Sequence, residues 1–139
     1  MDDPLRRHGG FADLVGYELS EWKEGFAALT LTVADKHMNR SGVMHGGVLT
    51  TLLDTVCGYA GTYTPDPAKP RRAFTLALTT QFISTTRPGA RLTATARKAG
   101  GGRQIYFSTG EVRDDTGTLI GRGDGTYKYR SDSIAPPAP

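Results

Sequence analysis

The residues best placed to do chemistry are an acid inside an apolar run and a histidine with two glycines before it. Asp54 sits in Leu52-Leu53-Asp54-Thr55-Val56. A carboxylate there is costly to bury unless it is paired or used. No lysine or arginine lies within one helical turn of it. That favours use as a base or nucleophile over the plainer role of a hydrogen-bonded acid on a helix side. Nine residues earlier stands His45-Gly46-Gly47. At a helix start, two glycines leave the first N–H groups open, at the positive end of the helix dipole. Such donors can hold an anion, or the oxyanion that forms on a carbonyl under attack. The plainer alternative is a tight turn that needs glycine for its backbone angles. Asn39 and His45 put polar side chains near the same end, where a polar loop residue and an N-cap are the ordinary explanation.

The elements that must position these groups follow from periodicity. Gly46 to about Thr62 reads as one long helix, with Val48, Leu49, Leu52, Leu53, Val56, Cys57 and Ala60 at helical spacing. Its other face carries only small residues and Asp54 (Gly47, Thr50, Thr51, Thr55, Gly58) instead of the usual lysines and glutamates. That face is expected to be covered too, by a partner subunit or within the fold. Phe11 to Gly16 reads as a short helix. Trp22 to Val33 reads as one strand, because Leu29, Leu31 and Val33 alternate with Thr30 and Thr32. Ala34 to Met44 and Thr64 to Arg72 read as loops. Four further strands are expected. In the first, Phe74, Leu76, Leu78 and Phe82 alternate with Thr75, Ala77 and Gln81. The others start at Leu92, Ile105 and Leu119, joined by Gly100-Gly101-Gly102 and Asp114-Asp115-Thr116-Gly117. Strand, long helix, then four strands implies an α+β domain with one helix on an antiparallel sheet.

Composition narrows the class. The chain has 139 residues, 37% hydrophobic and 22% charged, which fits one globular domain. Residues 1–10 read as an N-terminal extension, 11–130 as the domain and 131–139 as a flexible tail. The net charge of +3 is too mild for a nucleic-acid partner and suits an anionic ligand. One cysteine cannot form an internal disulfide, so a reduced, cytoplasmic setting is expected. Met1-Asp2-Asp3-Pro4 leads into no apolar run, so neither a leader nor a membrane association is expected. Cys57 falls on the apolar stripe and reads as core; His8 reads as surface. No Cys/His spacing suggests a metal. Gly121-Arg122-Gly123-Asp124-Gly125 lies inside an expected strand, so it is not a dinucleotide fingerprint.

The run His37-Met38-Asn39-Arg40-Ser41-Gly42-Val43-Met44-His45-Gly46-Gly47, followed by Leu53-Asp54, resembles the signature of hotdog-fold acyl-CoA thioesterases of the phenylacetate-degradation (PaaI) type. The resemblance extends over about Phe11 to Tyr129. It implies a hotdog fold: an antiparallel sheet wrapped around one long central helix. It implies hydrolysis of an acyl-CoA or aryl-CoA thioester, with no cofactor beyond the CoA of the substrate. Asp54 then matches the general base or nucleophile, and Gly46 the N–H that polarises the carbonyl. Asn39 and His45 match groups that position the thioester or the water, and Thr75 a hydroxyl that helps hold the water. Ala77, where the family often has an acid, and Thr55, where it has a small apolar residue, depart from the pattern and bear on the acyl pocket.

Gly46 and Asp54 are eight positions apart, roughly 12 Å along one helix. A base must come within about 3 Å of its target, so these two cannot serve one carbonyl from the same chain. If both are catalytic, each site combines Gly46 of one subunit with Asp54 of another, in a homodimer or a dimer of dimers. Beside Gly47, the expected CoA contacts are Arg87, Lys98 and Arg103, with Arg71, Arg72 and Arg122 as further cations. Tyr59, Tyr63, Phe82 and Ile83 are candidates for the acyl pocket. The competing functions are an enoyl-thioester hydratase or dehydratase on the same fold and a non-catalytic acyl-CoA binder.

Overall fold

The computed structural model describes residues 9–133. His8, the rest of the N-terminal extension before Gly9, and tail residues 134–139 lie outside the described residues. The elements are α1 (Gly10–Val15), β1 (Glu18–Lys23), β2 (Phe26–Thr32), α2 (Gly46–Ala60), β3 (Ala73–Phe82), β4 (Arg91–Gly101), β5 (Ile105–Arg113) and β6 (Leu119–Tyr129). Six antiparallel strands form one sheet in the order β1-β2-β4-β5-β6-β3. The sheet curves around α2, which touches every strand. Among the described residues no helix is long and apolar enough to cross a membrane.

The expected single strand from Trp22 to Val33 is two strands. A two-residue turn at Glu24-Gly25, with Gly25 at φ 73°, reverses the chain so that Lys23 pairs with Phe26. The loop from Ala34 to Met44 is held rather than loose. Buried His37 accepts the Ala34 N–H at Nδ1 (2.9 Å), and its Nε2 donates to the Val15 carbonyl (2.6 Å). Lys36 Nζ donates to the Leu14 carbonyl, so two carbonyls at the end of α1 find donors there. At the other terminus Ser131–Ser133 form a short 3-10 turn. Ser133 Oγ accepts the Arg72 N–H and donates to its carbonyl.

The apolar stripe of α2 (Leu49, Leu52, Leu53, Val56, Cys57, Ala60) is buried on the sheet. The sheet meets it with small residues. An added Cβ at Gly121 would lie 2.4 Å from Leu49 Cδ2 and 2.8 Å from the Gln81 carbonyl; at Gly110 it would lie 3.0 Å from Cys57 Sγ. The helix therefore sits lower over β5 and β6 than any side chain permits. The glycine run of β6 serves packing.

The last carbonyls of α2 are only partly served by the turn that ends it, where the Gly61 and Thr62 N–H groups reach the Gly58 and Tyr59 carbonyls, and the sheet supplies further donors. Tyr106 Oη donates to the Gly58 carbonyl (2.7 Å), Tyr129 Oη to Gly61 (2.7 Å) and Trp22 Nε1 to Tyr59 (2.8 Å). The tyrosine rings pack on one another, Tyr106 stacked on Tyr127 at 5.1 Å. Gly121→Ala should cost about 1–3 kcal/mol, as overpacking a close contact does. Urea unfolding will read this as a lower midpoint at unchanged slope, whereas Gly117→Ala in the exposed β5–β6 turn meets no neighbouring atom and carries only the strain of its positive φ.

Candidate active site

Asp54 lies on the half-covered face of α2, in the third turn. Thr75 Oγ1 donates to its Oδ1 at 2.7 Å. Tyr127 Oη sits 3.0 Å from the Asp54 carbonyl and 3.3 Å from the same Oδ1. Three side chains from α2, β3 and β6 thus converge, while Oδ2 is left open to a cavity. Among the described residues no cation pairs with the carboxylate; two hydroxyls bond to it instead. Burial, with the carboxylate of Asp54 and the thiol of Cys57 nearby, pushes Tyr127 far above the ordinary phenol range. Its hydroxyl therefore remains a donor. Cys57 is fully buried, and burial pushes its thiol up to about 12, so it is core and not a nucleophile.

Strict alternation along β3 would put Thr75 on the face opposite Leu78 and Phe82. The pairing register explains why it is not. Thr75 pairs with Tyr127 but Ala77 pairs with Thr126, so Leu76 is an extra residue, a β-bulge. The bulge reverses the phase of the strand. Thr75 then points at α2, as do Leu78 and Phe82 further along.

At the start of α2, His45 is the N-cap: its Nδ1 accepts the Gly47 N–H at 2.7 Å. That makes Nε2 the protonated nitrogen, facing outward as a donor. The two glycines are there for space and not for backbone angles, since neither has a positive φ. A Cβ on Gly46 would lie 3.0 Å from the Phe82 ring, and one on Gly47 would lie 2.9 Å from the His45 ring. The Gly46 N–H finds no acceptor among the described residues. Asn39 Oδ1 accepts the Ser41 and Val43 N–H groups (2.9 and 3.2 Å). Its amide NH₂ has no acceptor among the described residues.

The chain does not bring these two groups together. The cavity beside Asp54, of about 420 Å³, is lined by Thr55, Tyr59, Arg71, Phe74, Thr75 and Tyr127 among others. A second, of about 480 Å³, lies beside His45, Gly47 and Thr51. They share no residue. The expected CoA contacts scatter. Arg87 is exposed at the N-terminal end of α2, where the Thr86 carbonyl accepts the Met44 N–H. Lys98 and Arg103 lie at the opposite end of the sheet, around the β4–β5 turn. Arg122 is exposed and bonded to Gln81. The cations that reach the Asp54 cavity are Arg71, Arg72 and Arg130. Of the pocket candidates, Tyr59 and Tyr63 meet Trp22 edge-on at 5.2 and 5.7 Å, and Tyr59 also lines the cavity. Phe82 covers Gly46, and Ile83 is exposed. Tyr127 is the site residue that the sequence reading missed. Its signal is modest: it continues the inward phase of Gly121, Gly123 and Gly125.

The sequence profile of the thioesterase superfamily matches residues 41–120, more than half the chain. The PaaI protein of E. coli, from the phenylacetic acid degradation operon, superposes with a TM-score of 0.80 at 27% identity, covering 91% of this chain and 88% of that one. A conserved protein of Pseudomonas aeruginosa gives a TM-score of 0.81 at 29% identity, covering 90% and 97%. A Streptococcus mutans protein whose crystal structure holds acetyl-CoA shares the fold, with a TM-score of 0.72 at 20% identity over 82% and 88%. With the six-stranded sheet wrapped on one long helix, these likenesses give the hotdog fold, and the chain belongs to the thioesterase superfamily, hydrolases of thioesters.

Proposed function

We propose that this protein hydrolyses an acyl-CoA or aryl-CoA thioester, with Asp54 as general base at a site completed by Gly46 of a second copy. The observation that carries the reading is the hydrogen bond from Thr75 to Asp54 beside an open cavity. The Thr75 hydroxyl donates to the carboxylate and keeps lone pairs that accept from a water. A water so held lies beside Asp54 Oδ2. Asp54 takes its proton as the oxygen attacks the thioester carbon. The carbonyl oxygen gains charge and accepts from the Gly46 N–H at a helix N-terminus. The C–S bond then breaks, and the leaving thiolate takes the proton from Asp54. Acid and thiol are the products. His45 Nε2–H and the Asn39 amide are donors at the same helix end, suited to hold the thioester. The step uses no metal or cofactor, and neither a nucleic acid nor a membrane takes part.

The edges of the sheet support a homo-oligomer. Both β1 and β3 are edge strands. The sequence of β1, ELSEWK, carries three charges in six residues, the usual protection of a free edge. The sequence of β3, AFTLALTTQF, carries none in ten and includes exposed Phe74, Leu76 and Phe82. Such an edge suits pairing with a second copy across a two-fold axis. That axis would run beside the half-open face of α2, where Asp54 and Gly46 both lie.

Asp54→Asn should lower kcat by about a hundredfold to ten-thousandfold while acyl-CoA binding persists. In a single turnover in ¹⁸O water, the wild-type acid product should carry the label; an unlabelled first product would make Asp54 the nucleophile instead. Tyr127→Phe should lower kcat by about tenfold, with KM nearly unchanged and stability reduced by about 1 kcal/mol. A loss confined to the melting temperature would reduce Tyr127 to a packing residue.

Gly46→Pro tests the shared site. Gly46 is the first helical residue and His45 before it is extended (φ −60°, ψ 135°), so proline fits and removes only the N–H, once the Phe82 ring turns aside. Gly46→Pro and Asp54→Asn should each be nearly inactive. Refolded together in equal amounts, they should regain about a quarter of wild-type activity: half the dimers are mixed, and each mixed dimer has one intact site. Sites contained within one chain would regain none.

A further inference from the structure

We infer that the far end of the Asp54 cavity, built on Arg71, binds an anion, and that the preferred acyl group ends in a carboxylate. This rests on the thioesterase reading above and names its substrate class.

Arg71 lines the same cavity as Asp54, Thr75 and Tyr127. Its guanidinium lies over the Tyr129 ring, 4.4 Å from the ring centre. Tyr129 is in turn fixed by its bond to the Gly61 carbonyl. Gly61 lies seven residues beyond Asp54, roughly 10 Å along the helix, so the ring under Arg71 is anchored about two turns past the reacting acid. The same cavity is lined by Tyr59, Phe74, Tyr106 and Tyr127, aromatic walls suited to an apolar chain or a ring.

Among the described residues no carboxylate lies within ion-pair distance of Arg71. Its Nε is enclosed and has no hydrogen-bond partner. Neighbouring Arg130, by contrast, is paired with Asp132 at 3.0 Å. A partly enclosed guanidinium held rigid by stacking, with unused donors, is suited to a planar carboxylate. Free energy already invested in burying the charge then favours an acyl group that brings the counter-charge. The phosphates of CoA are the other anions of such a substrate. The whole pantetheine arm separates them from the thioester, and extended it is longer than this span.

The experiment uses monothioesters of straight-chain diacids against monoacids of matched length. Each is made on CoA and on N-acetylcysteamine, a thiol without phosphates. Wild type should favour the diacid by at least about tenfold in kcat/KM on both thiols. Arg71→Gln should bring the diacid-to-monoacid ratio of kcat/KM to about one on both thiols. Arg71→Lys should keep part of the preference, and an unchanged melting temperature shows that the fold survives. Equal losses on diacid and monoacid, confined to the CoA thioesters, would assign Arg71 to the phosphates and overturn the inference. So would a wild type without preference. Calorimetry with non-hydrolysable thioethers of both acyl classes separates this result from the fate of the catalytic reading. If wild type hydrolyses nothing but binds the diacid analogue about tenfold more tightly, the anion site stands and the hydrolase assignment falls.

Discussion

The placement of α2 depends on the capping of its C-terminal carbonyls by side chains of the sheet. A helix end buried without donors is costly, because each orphaned carbonyl loses its water. Here the indole of Trp22 and the hydroxyls of Tyr106 and Tyr129 supply the donors, from β1, β5 and β6. Hydrophobic burial alone would let the helix slide or roll on a surface of alanines and glycines. Directional bonds at three points do not. They fix the helix in translation and rotation together, and Asp54 is carried to one position above β3 and β6.

Chemistry then enters through an irregularity and not through the regular fold. A perfectly alternating β3 would turn Thr75 away from the helix. The extra residue at Leu76 turns it inward, opposite Tyr127 in the register. Two hydroxyls meet one carboxylate oxygen, and the second oxygen stays open to the cavity. Tyr127 serves both purposes, since its hydroxyl reaches the helix backbone at the Asp54 carbonyl as well as the carboxylate. In the proposed mechanism stability and catalysis share that group, and this is why a change there has to be read by kinetics and melting together.

How much of this the sequence disclosed follows the range of the interactions. The long helix, the apolar stripe and the strands after it are set by local periodicity, and their bounds match within a few residues. The His45-Gly46-Gly47 and Asp54 motif is legible because its members lie in one helix and the loop before it. The hairpin at Glu24-Gly25 was missed because alternation continues on both sides of a two-residue turn, so the pattern shows no break. Thr75 could be matched only through the family signature, because its orientation depends on a bulge that appears only in the pairing with β6. Tyr127 and Arg71 belong to the Asp54 cavity through contacts 73 residues away in the first case and through an aromatic platform in the second. No local pattern encodes either. From the sequence Lys98 and Arg103 are preferred to Arg71 as CoA contacts, because charge is visible there while the end of the sheet it occupies is not.

The same helix is the physical reason for proposing a divided site. Its N-terminus is assembled by His45 folding over Gly47 and by Phe82 covering Gly46, while its C-terminal half is bolted to the tyrosines. Neither end can move towards the other, because the helix between them is rigid. An acid and an N–H roughly 12 Å apart on a rigid rod become useful to one carbonyl only if a second rod runs beside the first in the opposite sense. On the proposed dimer, the uncharged edge of β3 and the lysine-free face of α2 are two aspects of one requirement. In that dimer, a side chain large or charged enough to protect either surface would stand where the second copy brings its helix terminus.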